Sequence, residues 1–330
     1  MLRLKKNPGE PFRVLNLSDP QLSDGEWEEG HPARAILEGT VETLIERMRP
    51  GLITVSGDLA WAGNDRAYDA LADFLDRLGI PWAPVWGNHD NQGGPERVEA
   101  VVRRYLARPL CLYERGPGAL GNGNYVIRIE EEGRPVCALL MMDSHDRAPY
   151  VNAEGAESEE WAKLWPGQLD WYREQIASLT AEGCRESVLV LHIPVYAYRG
   201  AFAAAFRAGI DPKAVTPEEA EGPEVWNPGY ESAFGVKWEG ICSYPADEGM
   251  FSLIRELGHT KTVVAGHDHV NDTVIPYRGV KLVYSLKAGC GCYWDPRLNG
   301  GTVLEIGPEG GVTVRHEYVD PSVWTEKGGA

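Results

Sequence analysis

PWAPVWGNHD, residues 81–90, is an apolar run closed by glycine, an amide, a histidine and an acid. A strand covered on both faces reads as one uninterrupted apolar run. A polar ending of this kind then sets metal-ligand side chains at its carboxyl end. Towards the N-terminus the same grammar recurs in LITVSGD (52–58) and in RVLNLS (13–18), which is followed by Asp19-Pro20-Gln21. Helical patterns over 33–48 and 65–78 separate the three runs, so the first 90 residues read β-α-β-α-β. That alternation predicts an α/β fold, a sheet flanked by helices.

Towards the C-terminus the pattern predicts strands over 124–130 and 136–143, a helix over 167–180 and a strand over 187–191. Five more strands are expected at 261–266, 272–277, 280–286, 301–306 and 311–318, forming a second, more antiparallel sheet. Residues 145–166 and 196–247 lack clear periodicity. Aromatic residues in the longer stretch (Tyr196, Tyr198, Trp226, Trp238, Tyr244) argue against disorder and suggest a cover beside a site, with Tyr196, Tyr198 and Trp226 as its walls. No repeat, low-complexity tract or linker interrupts the chain. The expected organisation is a single domain over 1–330, with its core at about 11–320 and the loop-rich insertion at 196–247.

Among 330 residues, 32 Lys and Arg face 49 Asp and Glu, a net charge of −17. Such a surface repels phosphate backbones and anionic lipid, which argues against nucleic acid and membranes as partners. No apolar window has the length of a membrane span and none precedes Pro8, so the expected location is cytoplasmic. The six cysteines are too scattered for a disulfide framework, and CGC at 290–292, lacking a second pair at ligand spacing, reads as packing.

Metal-binding residue types fall directly after five predicted strands: Asp19 with Gln21, Asp58, Asn88 to Asp90, His192, and His267 to His269. Each alone has a plain reading as a turn, a helix cap or a solvated loop. Together they take four of only eight histidines, and the carboxyl ends of strands in open α/β sheets share one crevice. An extended chain turns residues i and i+2 to one side, so Asp19 and Gln21 are expected to reach one ion across Pro20.

The order and spacing resemble the calcineurin-like metallophosphoesterases, whose motif series is D-x-H, G-D, G-N-H-D/E, H and G-H-x-H. Motifs two to five stand intact as Gly57-Asp58, Gly87 to Asp90, His192 and Gly266 to His269. GMFSLIRELGHTKTVVAGHDHVND with YRGVKLVYSLKAGCGCY looks like the branch that includes yeast Dcr2 and plant purple acid phosphatase 29. The resemblance implies a four-layer α/β/β/α sandwich of two mixed sheets. It also implies two metal ions (Mn, Fe, Zn, Ni or Mg), one on Asp19, Gln21, Asp58 and His269, the other on Asp58, Asn88, His192 and His267. A bridging carboxylate can hold two ions close enough for a shared water to ionise near neutral pH and attack phosphorus. His89 would protonate the leaving oxygen or stabilise the phosphoryl group, and Asp90 would orient it.

Two departures stand out. Gln21 occupies the usual histidine place with a neutral oxygen ligand suited to harder ions. Trp61 stands where purple acid phosphatases carry a tyrosine ligand, and its expected role is packing. The implied function is hydrolysis of a phosphate ester, a monoester favoured, on a small phosphate-containing substrate or a phosphoprotein. A phosphodiesterase and a catalytically weakened metal-binding scaffold are the alternatives.

Overall fold

In the computed structural model, which describes residues 2–325, β1 (Leu2–Lys5) precedes β2 (Phe12–Leu17), α1 (Pro32–Met48), β3 (Leu52–Ser56), α2 (Asp65–Arg77) and β4 (Trp82–Val85). β2, β3 and β4 are parallel neighbours. β3 and β4 are buried along their whole length, as their unbroken apolar runs require. α1 begins at Pro32, where the missing N–H is no loss. Its buried Ala33, Ile36, Leu37, Val41 and Leu44 form one face at helical spacing. It stops at Arg49, whose left-handed backbone returns its N–H to the Ile45 carbonyl.

The chain continues through α3 (Asn88–Asn91), α4 (Pro95–Leu106), β5 (Tyr125–Glu131), β6 (Arg134–Met141), β7 (Arg147–Val151), β8 (Glu157–Trp161), α5 (Pro166–Ala181) and β9 (Glu186–Val190). Next come α6 (Ala197–Ala205), α7 (Pro217–Ala220), α8 (Met250–Leu257), β10 (Thr260–Ala265), β11 (Val274–Tyr277), β12 (Val280–Tyr284), β13 (Gly300–Ile306), β14 (Val312–Tyr318) and α9 (Ser322–Thr325). One mixed sheet has the order β1-β5-β6-β9-β10-β12-β11 and the other β14-β13-β2-β3-β4, while β7 and β8 pair only with each other.

Strand alternation builds the layers. Along β6, Cys137, Leu139 and Met141 pack into one core with residues of β2, β3 and β4. Ala138, Leu140 and Met142 pack into a second with Tyr172 and Ile176 of α5 and Met250 and Ile254 of α8. With α1, α2 and α4 joining the first core, the order is helices, sheet, sheet, helices.

Three expectations need correction. The five C-terminal strands do not form a sheet of their own: β10, β11 and β12 complete the sheet of β5, β6 and β9, while β13 and β14 cross back to lie beside β2. An apolar run states that a strand is buried, not which strand covers its edge. Elements also stand where none was expected, among them β1, α4, α8 and the β7–β8 hairpin. Residues 196–247 are less irregular than they read, holding α6 and α7. Tyr198 and Trp226 are core residues, not walls of a cleft: the Tyr198 hydroxyl lies 3.0 Å from the Val263 carbonyl and Trp226 Nε1 donates to the Ala220 carbonyl at 2.9 Å.

Candidate metal centre

The carboxyl ends of β2, β3 and β4 meet those of β9 and β10, and backbone hydrogen bonds lace the loops together. Asp19 N–H donates to the Gly57 carbonyl (3.2 Å), Gln21 N–H to the Asp58 carbonyl (3.1 Å) and Gly266 N–H to the His192 carbonyl (3.1 Å). The first loop is not aimed by strand alternation as expected. β2 ends at Leu17, and Asp19 (φ 51°) and Gln21 (φ 43°) are both left-handed, as are Asp58 (φ 49°) and His267 (φ 77°). Each such residue costs about 1–3 kcal/mol, and this kind of strain gathers at functional sites. The motif glycines make room for it. At Gly57 (φ 89°) a Cβ would lie 2.5 Å from the His192 ring, and at Gly87 a Cβ would lie 2.2 Å from Asp58 Oδ1.

All seven expected ligands converge. His269 Nε2 lies 3.3 Å from Asp19 Oδ1. His192 Nε2 lies 3.3 Å from Asp58 Oδ2, 3.0 Å from Asn88 Oδ1 and 3.2 Å from His267 Nδ1. Gln21 Nε2 lies 3.5 Å from Asp58 Oδ2. Asp19, Asp58 and His269 form one buried group and Asp58, His192 and His267 another, with potential ligand atoms within 4.8 Å of one another and Asp58 common to both.

The chemistry of these atoms fits cations. His192 Nδ1 donates to the Ser56 carbonyl (2.8 Å) and His269 Nδ1 to the Tyr293 carbonyl (2.8 Å), which turns both Nε2 atoms inward. Asp19 Oδ1, Gln21 Oε1 and His267 Nε2 are buried without a hydrogen-bond partner. A cluster of inward acceptors is costly unless a cation satisfies it. Burial raises the Asp19 carboxyl, but His269 and His192 outweigh it and hold the group below the usual range. Burial likewise opposes Asp58 ionisation, and His192 overcomes it. Burial lowers His192 too, yet Asp58 and Asp19 carry it up to about 10. His267 falls to about 3 through burial and the charge of His192. Ionised carboxylates and neutral imidazole are the forms that bind metal, so an ion held here would take the place of the proton that the two carboxylates keep on His192.

His89 belongs to neither group. Its side chain is 25% exposed, Nε2 stands 4.0 Å from Asp58 Oδ2, and its ring meets Trp61 at 4.4 Å between centroids. Asp90 does not orient it. The buried Asp90 carboxylate instead accepts from Gly87 N–H (2.8 Å), Leu59 N–H (3.1 Å) and the Tyr68 hydroxyl (2.8 Å), bracing the β3 and β4 loops against each other. Burial, then the charge of Asp58, pushes it up to about 7. Gln92 takes the orienting place, with Oε1 3.1 Å from His89 Nδ1. Its position one helical turn after His89 was a usable signal.

Other residues around the centre had weaker signals or none. The buried Lys287 donates to the Asp19 carbonyl. Trp161 meets His267 edge-to-face at 4.2 Å, and Tyr293 stacks on His269 at 4.2 Å. Cys242, His267 and Asp268 form a third cluster, but the Asp268 carboxylate is engaged by the Tyr284 hydroxyl (2.5 Å) and Cys242 N–H (3.1 Å). CGC packs under the first loop, where a Cβ on Gly291 would lie 2.4 Å from the Pro20 carbonyl.

A two-sheet sandwich whose strand ends gather carboxylates, imidazoles and amides around a shared aspartate defines a metallophosphoesterase. The chain belongs to the calcineurin-like phosphoesterases, whose family model matches residues 12–271. It is 27% identical over 320 residues to the probable inactive purple acid phosphatase 14 of Arabidopsis thaliana, covering 87% of this chain and 73% of that protein. With the phosphatase DCR2 of Saccharomyces cerevisiae it shares 26% identity over 293 residues, 82% of this chain and 46% of DCR2. The fold resembles that of a dimetal phosphatase from Danio rerio, with a TM-score of 0.53 and 15% identity over 91% of this chain and 96% of the other.

Proposed function

We propose that the chain is a metal-dependent phosphoesterase that favours monoesters of a small organic phosphate or a phosphoprotein. Asp19, Gln21, Asp58 and His269 would hold one ion, and Asp58, Asn88, His192 and His267 the other. Bound there, the pair would supply Lewis-acid polarisation of the phosphoryl group and an acidified water. The remaining work falls to the chain. The Ser56 and Tyr293 carbonyls fix the ring orientations of His192 and His269. Gln92 Oε1 accepts from His89 Nδ1, so the ring presents Nε2 to the leaving oxygen as its proton donor.

One observation carries this reading: Asp58 is common to both ligand groups while His89 faces it from outside them. A structural site would need no such histidine. The test is hydrolysis of p-nitrophenyl phosphate and bis-p-nitrophenyl phosphate after loading with Mn²⁺ and then with chelator. Turnover of the monoester alone, abolished by chelator, is expected, whereas turnover of the diester alone would make the chain a phosphodiesterase. A second reading is a metal-binding scaffold of weakened activity. The word inactive in the Arabidopsis relative's name and the neutral Gln21 favour it. Two bound ions per chain with no turnover of either ester would establish that reading.

A further inference from the structure

The β7–β8 hairpin pairs with neither main sheet, yet its base stands at the metal centre. Arg147 and Trp161, its first and last residues, are register partners and so share one face. The Arg147 guanidinium carbon sits 3.5 Å from the centroid of the Trp161 ring, and that ring meets His267 at 4.2 Å. Contacts on both sides hold the hairpin in place. Gln92 Nε2 donates to Asp146 Oδ1 (3.1 Å) while its Oε1 orients His89, and Tyr244 packs on Tyr150 with centroids 5.6 Å apart. The hairpin base is thus tied to both the proposed proton donor and a proposed ligand.

The exposed Arg147 side chain forms, among the described residues, no hydrogen bond and no ion pair; the neighbouring Asp146 carboxylate feels its charge but is engaged by Gln92. In a chain with 49 acidic residues, an exposed guanidinium held over an indole beside the candidate metal centre, with no hydrogen bond of its own, is placed to meet an anion from outside. Glu159 follows on the same face, one non-adjacent pair further out opposite Pro149, and repels an anion there.

From this geometry we infer that Arg147 and Trp161 form the leaving-group subsite. The preferred substrate is a phosphate ester whose alcohol carries a second anion, a carboxylate or a further phosphate. Trp161 supplies the apolar platform and Arg147 the bidentate donors. The inference rests on the phosphoesterase reading only in taking the metal centre as the place where the first phosphoryl group sits.

Three non-hydrolysable probes test it by calorimetric titration of the full-length, Mn²⁺-loaded protein: phenylphosphonate, 4-carboxyphenylphosphonate and 1,4-phenylenediphosphonate. At least one doubly anionic probe is expected to bind about tenfold tighter than phenylphosphonate, the scale of a charged hydrogen bond, and the larger ratio identifies the second anion as carboxylate or phosphonate. Arg147→Ala should bring the ratio to about one with metal content unchanged, and Arg147→Lys should recover part of it by charge alone. Equal affinity for all three probes, no binding of any, or a preference that survives Arg147→Ala overturns the subsite. A preference lost in Arg147→Ala, in a protein that hydrolyses neither p-nitrophenyl ester nor 4-carboxyphenyl phosphate, leaves the subsite standing and removes the hydrolase reading.

Discussion

Asp58 and His89 lie within 4.0 Å of each other, yet they do different jobs in the proposed reaction, and substitution separates them. Asp58→Asn removes the charge shared by both ligand groups, so metal content and hydrolysis should fall together. His89→Ala should keep both ions and lower kcat by about 10²-fold or more, the ordinary contribution of a positioned proton donor. Metal analysis beside steady-state kinetics checks this, and equal metal loss in both variants would refute the division of labour. At this scale the sequence was informative about residue type and silent about partners. The positions now found together were legible because each follows an apolar run. That Asp90 braces two loops while Gln92 orients His89 was not, because a carboxylate next in sequence to a histidine points elsewhere once a helical turn begins at Asn88.

At the scale of elements, the glycines of the motifs set how closely strand ends approach. Gly87 has an ordinary negative φ, so alanine adds no φ strain there, but its methyl group would lie 2.2 Å from Asp58 Oδ1 and 2.3 Å from the Asp58 backbone nitrogen. Gly87→Ala should therefore weaken both sites at once by displacing the shared carboxylate, with the far-UV circular dichroism unchanged. Metal titration followed by circular dichroism tests this, and wild-type affinity for both ions would show that the Asp58 loop yields freely. The long periodic helices and the buried strands could be read from pattern alone. β8, with the sequence ESEEW, could not: three glutamates carry low strand propensity, and the strand exists through its partner and the docking of Trp161. α4 did carry a signal, with Val98, Val101, Val102 and Tyr105 at helical spacing behind Pro95.

Over the whole molecule, the buried acceptors of the centre oppose folding until cations satisfy them. Ions that bind only the folded chain stabilise it by mass action, about 2.7 kcal/mol per site at 100 times the dissociation constant. Chelator should lower the melting temperature of the wild-type protein by several degrees, and Asp58→Asn should melt near the chelated value with or without metal. Scanning calorimetry decides it, and a melting temperature indifferent to chelator would place the centre outside the stability of the fold. The placement of β13 beside β2 has a temporal side as well. Asn16 and Thr302 are register partners from opposite ends of the chain, and Lys287 reaches back to the Asp19 carbonyl. A ribosome adds roughly 5–20 residues each second, so β2 waits many seconds for the strand that covers its second edge. The loop carrying Asp19 and Gln21 is made well before the β13 and Lys287 contacts that complete its surroundings, and a nascent chain still short of His267 and His269 holds neither complete ligand group.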